Sequence, residues 1–200
     1  MGSRPRRSRK PSGLDGASFQ ELARTVYHHR RLVQGKISPA QIDRILECAR
    51  CAPSVANRQP WLLATSNGDS ARKILLELAR NPESFEDFFA ANPGTHFVHD
   101  LHAAGALIVV LGQRNEPFWR ESCLLVTHQL LMASTAEGLA ARAVLPKSPN
   151  DLARKIRVPD EYLAYMLVLV GHAGEMELNS GTLKKISDLS VPLNNEPGQA

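Results

Sequence analysis

The chain has 200 residues, 43% of them hydrophobic and 22% charged, the profile of one globular domain able to bury its own core. Thirteen glycines and thirteen prolines exclude collagen-like and low-complexity readings. Three cysteines are too few for a disulfide framework, which points to a reducing, cytoplasmic compartment. The net charge of +4 comes from the N-terminus, where Arg4, Arg6, Arg7, Arg9 and Lys10 stand without an acid; the rest holds 19 basic against 20 acidic residues.

Residues 1–14 therefore read as a disordered, solvated basic tail, with contact to nucleic acid or an acidic partner as the alternative. No apolar segment follows the arginines, so this is not a secretory signal. Residues 15–200 read as a single domain. The first predicted helix covers residues 18–31, with Phe19, Leu22 and Val26 on one face. The second begins with Ser38 as N-cap, Pro39 at the first helical position and Gln41 three residues after the cap. Ile42, Ile45, Leu46 and Ala49 then follow helical spacing, and Pro53 stops the helix. Cys48 and Cys51 form a CxxC inside it. A redox pair normally opens a helix, where the thiolate is stabilised, so these two read as structural core residues.

A short strand is expected over residues 61–65, a helix over 71–80, and a Phe-rich helical excursion or lid over 82–94. His96, His99 and His102 are spaced by three. With no second ligand cluster in the sequence, they read as an exposed helix or loop rather than a metal site. Residues 106–112 form a continuous apolar run, a strand buried on both faces. Residues 120–137 form a long helix, apolar round most of its circumference through Leu124, Leu125, Val126, Leu130, Leu131 and Met132, and Gly138 ends it. Ser148-Pro149-Asn150-Asp151 opens another helix, and residues 165–170 are a second buried strand. Lys184 and Lys185 precede a weakly strand-like stretch. The longest apolar runs fall short of the ~20 residues of a membrane span. The expected fold is α+β, a small, mostly antiparallel sheet with helices on both sides.

The sequence holds no dinucleotide or P-loop glycine motif and no hydrolase or zinc-protease signature. It does hold Arg30-Arg31 before a capped helix, a polar turn after that helix, and Lys184-Lys185 near the end. Arginine and lysine suit a phosphate, and Ser54, Asn57 and Gln59 suit the edge of a heterocycle.

Ala52-Pro53-Ser54-Val55-Ala56-Asn57-Arg58-Gln59-Pro60-Trp61 resembles the signature of the nitroreductase family of FMN enzymes. Trp119-Arg120-Glu121-Ser122, Glu137-Gly138-Leu139, Val144-Leu145-Pro146 and Arg157-Val158-Pro159-Asp160-Glu161-Tyr162 extend the likeness in order along residues 18–190. The resemblance implies a three-layer fold and an intertwined homodimer with FMN at the interface. It implies that Arg30 and Arg31, with Lys184 and Lys185, hold the phosphate and ribityl chain. Pro53, Ser54, Asn57 and Gln59 would approach the same flavin from the partner subunit, and a backbone N–H in a turn at Leu145-Pro146 would face the flavin N5.

There are departures. The family's Arg-Arg-Ser-x-Arg stands here as Arg30-Arg31-Leu32-Val33-Gln34, or, aligned without a gap, begins near Tyr27 and His28 and ends on Arg30. Either Gln34 or Arg30 then lies near the flavin pyrimidine. Pro146 stands where the family often has glycine. The implied activity is ping-pong transfer from NAD(P)H through the flavin to a small nitroaromatic, quinone or similar substrate, with Phe85, Phe88, Phe89 and Trp119 as candidate walls. The alternatives are an oxygen-using flavin dehydrogenase with a small partner subunit, resembling the cyclic dipeptide oxidases, and a non-catalytic flavin-binding regulator.

Overall fold

The computed structural model describes residues 16–27, 30–87, 96–176 and 184–190. Among these residues six α-helices and six strands alternate as α1 (Gly16–Tyr27), β1 (Arg30–Val33), α2 (Pro39–Arg50), β2 (Trp61–Asn67), α3 (Gly68–Leu78), β3 (Phe85–Asp87), α4 (His96–Ala103), β4 (Ala106–Gln113), α5 (Trp119–Ala136), β5 (Leu139–Pro146), α6 (Pro149–Lys155) and β6 (Tyr162–Met176). The strands form one antiparallel sheet in the order β2-β4-β6-β5-β3, with β1 added beside β6.

The sheet alternation sorts the core into two layers. Ala106, Ile108 and Val110 of β4, with Met166, Val168 and Val170 of β6, pack under Ile42, Ile45 and Ala49 of α2 and Val126 and Leu130 of α5. The intervening Leu107, Val109, Leu111, Leu167 and Leu169 pack under Ala71 and Leu75 of α3, Leu101 of α4 and Leu152 of α6. Helices thus cover both faces, which is why β4 and β6 read as unbroken apolar runs. The α2 start is built as the sequence requires: the Gln41 N–H donates to Ser38 Oγ at 3.2 Å, and the Ser38 N–H donates to Gln41 Oε1 at 3.1 Å.

Five expectations are corrected. The first helix stops at Tyr27, and Arg30 and Arg31 lie in β1 instead, because residues 30–33 find an antiparallel partner in the end of β6, with Val33 opposite His172. Within 82–94, Pro82–Ser84 is a single 3-10 turn and Phe85–Asp87 is a strand; Phe88 and Phe89 lie outside the described residues. Leu145 and Pro146 do not form a turn. They end β5, opposite Glu86 and Phe85, and the Lys147 N–H continues the ladder by donating to the Ser84 carbonyl at 2.8 Å. Cys48 and Cys51 are exposed rather than core, because the buried stripe of α2 is narrow. Cys48 lies about 100° round the helix from Ala49, and Cys51 is the C-cap. Finally, Ile186–Asp188 is a 3-10 turn, not a strand.

On α5 the long apolar pattern also divides. Leu124 and Leu125 stay 40% and 43% exposed, while Ser122, Thr127 and Ser134 are buried. Thr127 and Ser134 satisfy their hydroxyls by donating to the carbonyls of Cys123 and Leu130, each at 2.8 Å. No helix among the described residues is long and apolar enough to cross a membrane.

Candidate functional site

The chain leaves α2 through Cys51 and enters a turn that ends at Trp61. Pro53 supplies no N–H to prolong the helix. The Asn57 N–H donates to the Ser54 carbonyl at 3.0 Å and the Arg58 N–H to the Val55 carbonyl at 3.2 Å. Ser54 Oγ closes the turn by accepting the Gln59 N–H at 2.9 Å, and Gln59 Nε2 donates to Asn57 Oδ1 at 3.1 Å. Neighbouring elements hold this loop. The Val55 N–H donates to Ser122 Oγ of α5 at 3.5 Å, Arg58 pairs with Glu116 at 2.7 Å, and the Gln113 N–H donates to the Pro60 carbonyl at 2.9 Å.

The backbone here is strained. Among the described residues five non-glycine positions have positive φ, and four of them gather at this corner: Ala56 (52°), Asn57 (54°), Gln59 (48°) and Phe118 (57°). Each such residue costs about 1–2 kcal/mol, least for Asn. Strain of this kind persists where the surrounding structure enforces it, and it clusters at ligand sites. Its effect is to present polar groups. The Gln59–Asn57 bond uses one amide's NH2 and the other's carbonyl. Asn57's NH2 and Gln59's carbonyl remain, a donor and an acceptor on exposed side chains.

Phe118, 57% exposed, precedes α5, between Glu116 and Ser122, which both contact the turn. Behind it Trp119 is seated on Gly112, where a Cβ would lie 2.1 Å from the indole ring. Tyr165 meets the same indole edge-on at 5.6 Å, and the Arg120 guanidinium lies 4.4 Å above it. Burial pushes the Cys123 thiol up to about 12 and also raises the Tyr165 phenol. Both are therefore protonated at neutral pH, and Cys123 is no nucleophile there.

The other predicted residues lie elsewhere in the chain. Arg30 and Arg31 stand in β1, opposite the far end of β6. Arg31 is exposed, and Gln34, also exposed, donates to the His102 carbonyl at 3.4 Å. Leu145, half-buried, and buried Pro146 end β5. Lys184 and Lys185 are exposed ahead of the 3-10 turn. One chain thus brings Pro53, Ser54, Asn57 and Gln59 together but separates them from Arg31. Trp61 lies opposite Gly112, which lies opposite Leu163, whereas Leu32 lies opposite Ala173. Ten residues of β6 at about 3.3 Å each put these levels roughly 30 Å apart.

Sequence reasoning missed Phe118, whose left-handed backbone has no sequence signal, and quoted Ser122 only within a likeness, without the Val55 N–H it meets. Asp100, which stands in the sequence between His99 and His102, was given no role. Within α4, His99 and His102 are exposed, and among the described residues no three His, Cys, Asp or Glu side chains converge as a metal cluster would.

A sequence model described as the Nitroreductase family matches residues 24–172. The 5,6-dimethylbenzimidazole synthase of Rhodospirillum rubrum is 28% identical over 183 residues, covering 79% of this chain and 83% of its own. A putative NADH dehydrogenase/NAD(P)H nitroreductase of Methanothermobacter thermautotrophicus is 25% identical over 169 residues, covering 81% and 79%. Among solved structures, an oxidised iodotyrosine deiodinase bound to FMN and 3-iodo-L-tyrosine superposes with a TM-score of 0.68 at 21% identity, over 88% of this chain and 99% of that one.

Proposed function

The chain belongs to the nitroreductase family, and on that footing we propose that it is an FMN-dependent oxidoreductase that takes reducing equivalents from NAD(P)H and passes them to a small conjugated acceptor such as a nitroaromatic or quinone. The observation that carries this reading is the strained turn, whose backbone, closed by the Ser54 hydroxyl, leaves the Asn57 and Gln59 side-chain amides exposed at the surface.

The donor set fits the cofactor. Asn57 and Gln59 offer one donor and one acceptor to the polar edge of a flavin, and Ser54 anchors the loop that carries them. Arg30, Arg31, Lys184 and Lys185 are the charge complement of its phosphate. The end of β5, at Leu145 and Pro146, provides backbone and apolar wall beside the ring. When bound, FMN supplies the hydride chemistry. The protein's part is to hold the ring, shield one face and place charge at the phosphate. The roughly 30 Å between the two groups of residues supports a two-fold homodimer in which Ser54, Asn57 and Gln59 of one subunit meet a flavin gripped by Arg30 and Arg31 of the other. The exposed Leu124 and Leu125 of α5 then gain cover.

Anaerobic mixing of the FMN-loaded protein with NADPH or NADH tests the reading. Rapid bleaching of the flavin, followed by reoxidation with a quinone or nitroaromatic, is expected. A colourless protein that takes up no added FMN would overturn it. Stable flavin binding without reduction by either nucleotide would favour the oxidase alternative.

A further inference from the structure

We propose that Asp100 is a positioning residue for the phosphate end of the flavin site, acting on Arg31 through the peptide that follows it. The inference rests on the flavin reading above.

Strand β1 is four residues long and, among the described residues, pairs with β6 alone, and its register shifts between Arg30 and Leu32. So short a strand needs something more to fix it. The Leu32 N–H donates to Asp100 Oδ1 at 2.9 Å across a buried space. The other carboxylate oxygen, Oδ2, meets Nε of Arg142 in β5 at 2.5 Å, and His99 Nδ1 approaches Oδ1 at 3.4 Å. Asp100 is 0% exposed and Arg142 3% exposed. The carboxylate therefore ties α4 to β5 with one oxygen and to β1 with the other, and no substrate reaches it.

The point of attachment matters. The Leu32 N–H and the Arg31 carbonyl belong to one peptide plane. Asp100 holds the N–H side. On the carbonyl side, Gly174 lies so close that a Cβ there would stand 2.9 Å from the Arg31 oxygen. The plane is held by a hydrogen bond at its N–H and closely packed at its carbonyl, and from its Cα the exposed Arg31 side chain leaves. A buried ion pair is a costly way to stabilise a core, since apolar residues of similar size often do as well. Accepting the buried Leu32 N–H is something apolar residues could not do.

The test compares FMN with riboflavin, which lacks the phosphate, because a general loss of fold weakens both alike. Affinities are measured by quenching of flavin fluorescence, with thermal midpoint and oligomeric mass recorded alongside. The double variant Asp100→Leu/Arg142→Met removes the acceptor without leaving a buried charge unpaired. Asp100→Glu keeps the charge but moves the carboxylate by about 1.5 Å, one C–C bond. The wild type is expected to prefer FMN by about tenfold or more, and both variants to lose most of that preference, with riboflavin affinity held within about twofold. Parallel weakening of both flavins, or an unchanged ratio, overturns the proposal. So does failure of both variants to fold, which would make Asp100 a residue of the fold alone. A wild type that binds neither flavin defeats the functional reading itself. One that binds both equally leaves that reading standing and defeats only the role of Asp100.

Discussion

Replacing Arg31 by alanine in one chain and Asn57 by alanine in another tests whether a single flavin is built from two subunits. The two levels of the sheet that carry these residues lie roughly 30 Å apart along β6, counted as ten residues at about 3.3 Å. Helix α2, which leads from one to the other, contributes 12 residues, or about 18 Å at 1.5 Å per residue. A mononucleotide does not bridge such a span within one chain. In a two-fold dimer each site takes its Arg31 from one subunit and its Asn57 from the other. Either homodimer therefore has both sites damaged. The mixed dimer, isolated with two different affinity tags, has one site with both residues intact and one with neither, so about half of its sites should fill. The assay is flavin absorbance per dimer after gel filtration in FMN, against the wild type and both homodimeric variants. A mixed dimer that forms but holds no more flavin than the homodimers would place both contacts in one chain and refute the argument.

Other outcomes follow from individual contacts. Ser38→Ala breaks the reciprocal cap of α2 and should cost about 1 kcal/mol in urea unfolding; an unchanged midpoint would contradict the cap. Gly112→Ala drives a Cβ toward the Trp119 ring and should cost about 1–3 kcal/mol with a shift in tryptophan fluorescence; a neutral variant would contradict that seat. Cys48 and Cys51 are exposed, so changing both to alanine should alter stability by no more than about 0.5 kcal/mol and turnover by no more than a few-fold. In the native protein these two should react with a thiol reagent while Cys123 waits for unfolding; slow reaction of all three would contradict their exposure. Burial raises the Cys123 thiol from 9.0 to about 12, so the unfolded thiol ionises first. Its contribution is then intact below pH 9.0 and falls between there and about 12, by up to about 1.4 kcal/mol per pH unit. The stability difference between wild type and Cys123→Ala should narrow over that window, and parallel pH curves would refute it.

Some of this was legible in the sequence because it rests on local physics. The cap at Ser38, the helical spacing of Ile42, Ile45 and Ala49, and the apolar runs of β4 and β6 express preferences that neighbouring residues impose on one another. The polar turn from Pro53 to Trp61 was legible as a set of side chains, though not as strained backbone, because nothing in Ala56, Gln59 or the nearby Phe118 favours left-handed φ, and the bonds that hold the turn to α5 and β4 are tertiary. What only the tertiary structure decided depends on partners far away in the chain. Residues 30–31 read as the end of a helix and became a strand because β6, more than a hundred residues later, offers an edge. Residues 85–87 and 144–146 read as lid and turn and became paired strands for the same reason. The exposure of Cys48 was fixed by the width of the α2 contact. Asp100, unremarkable beside its histidines, became an anchor once folding brought Arg142 and the Leu32 N–H to its two oxygens. Periodicity records how a segment would like to bury itself, but a short edge strand, a thiol's exposure and a buried charge are settled by which neighbour arrives.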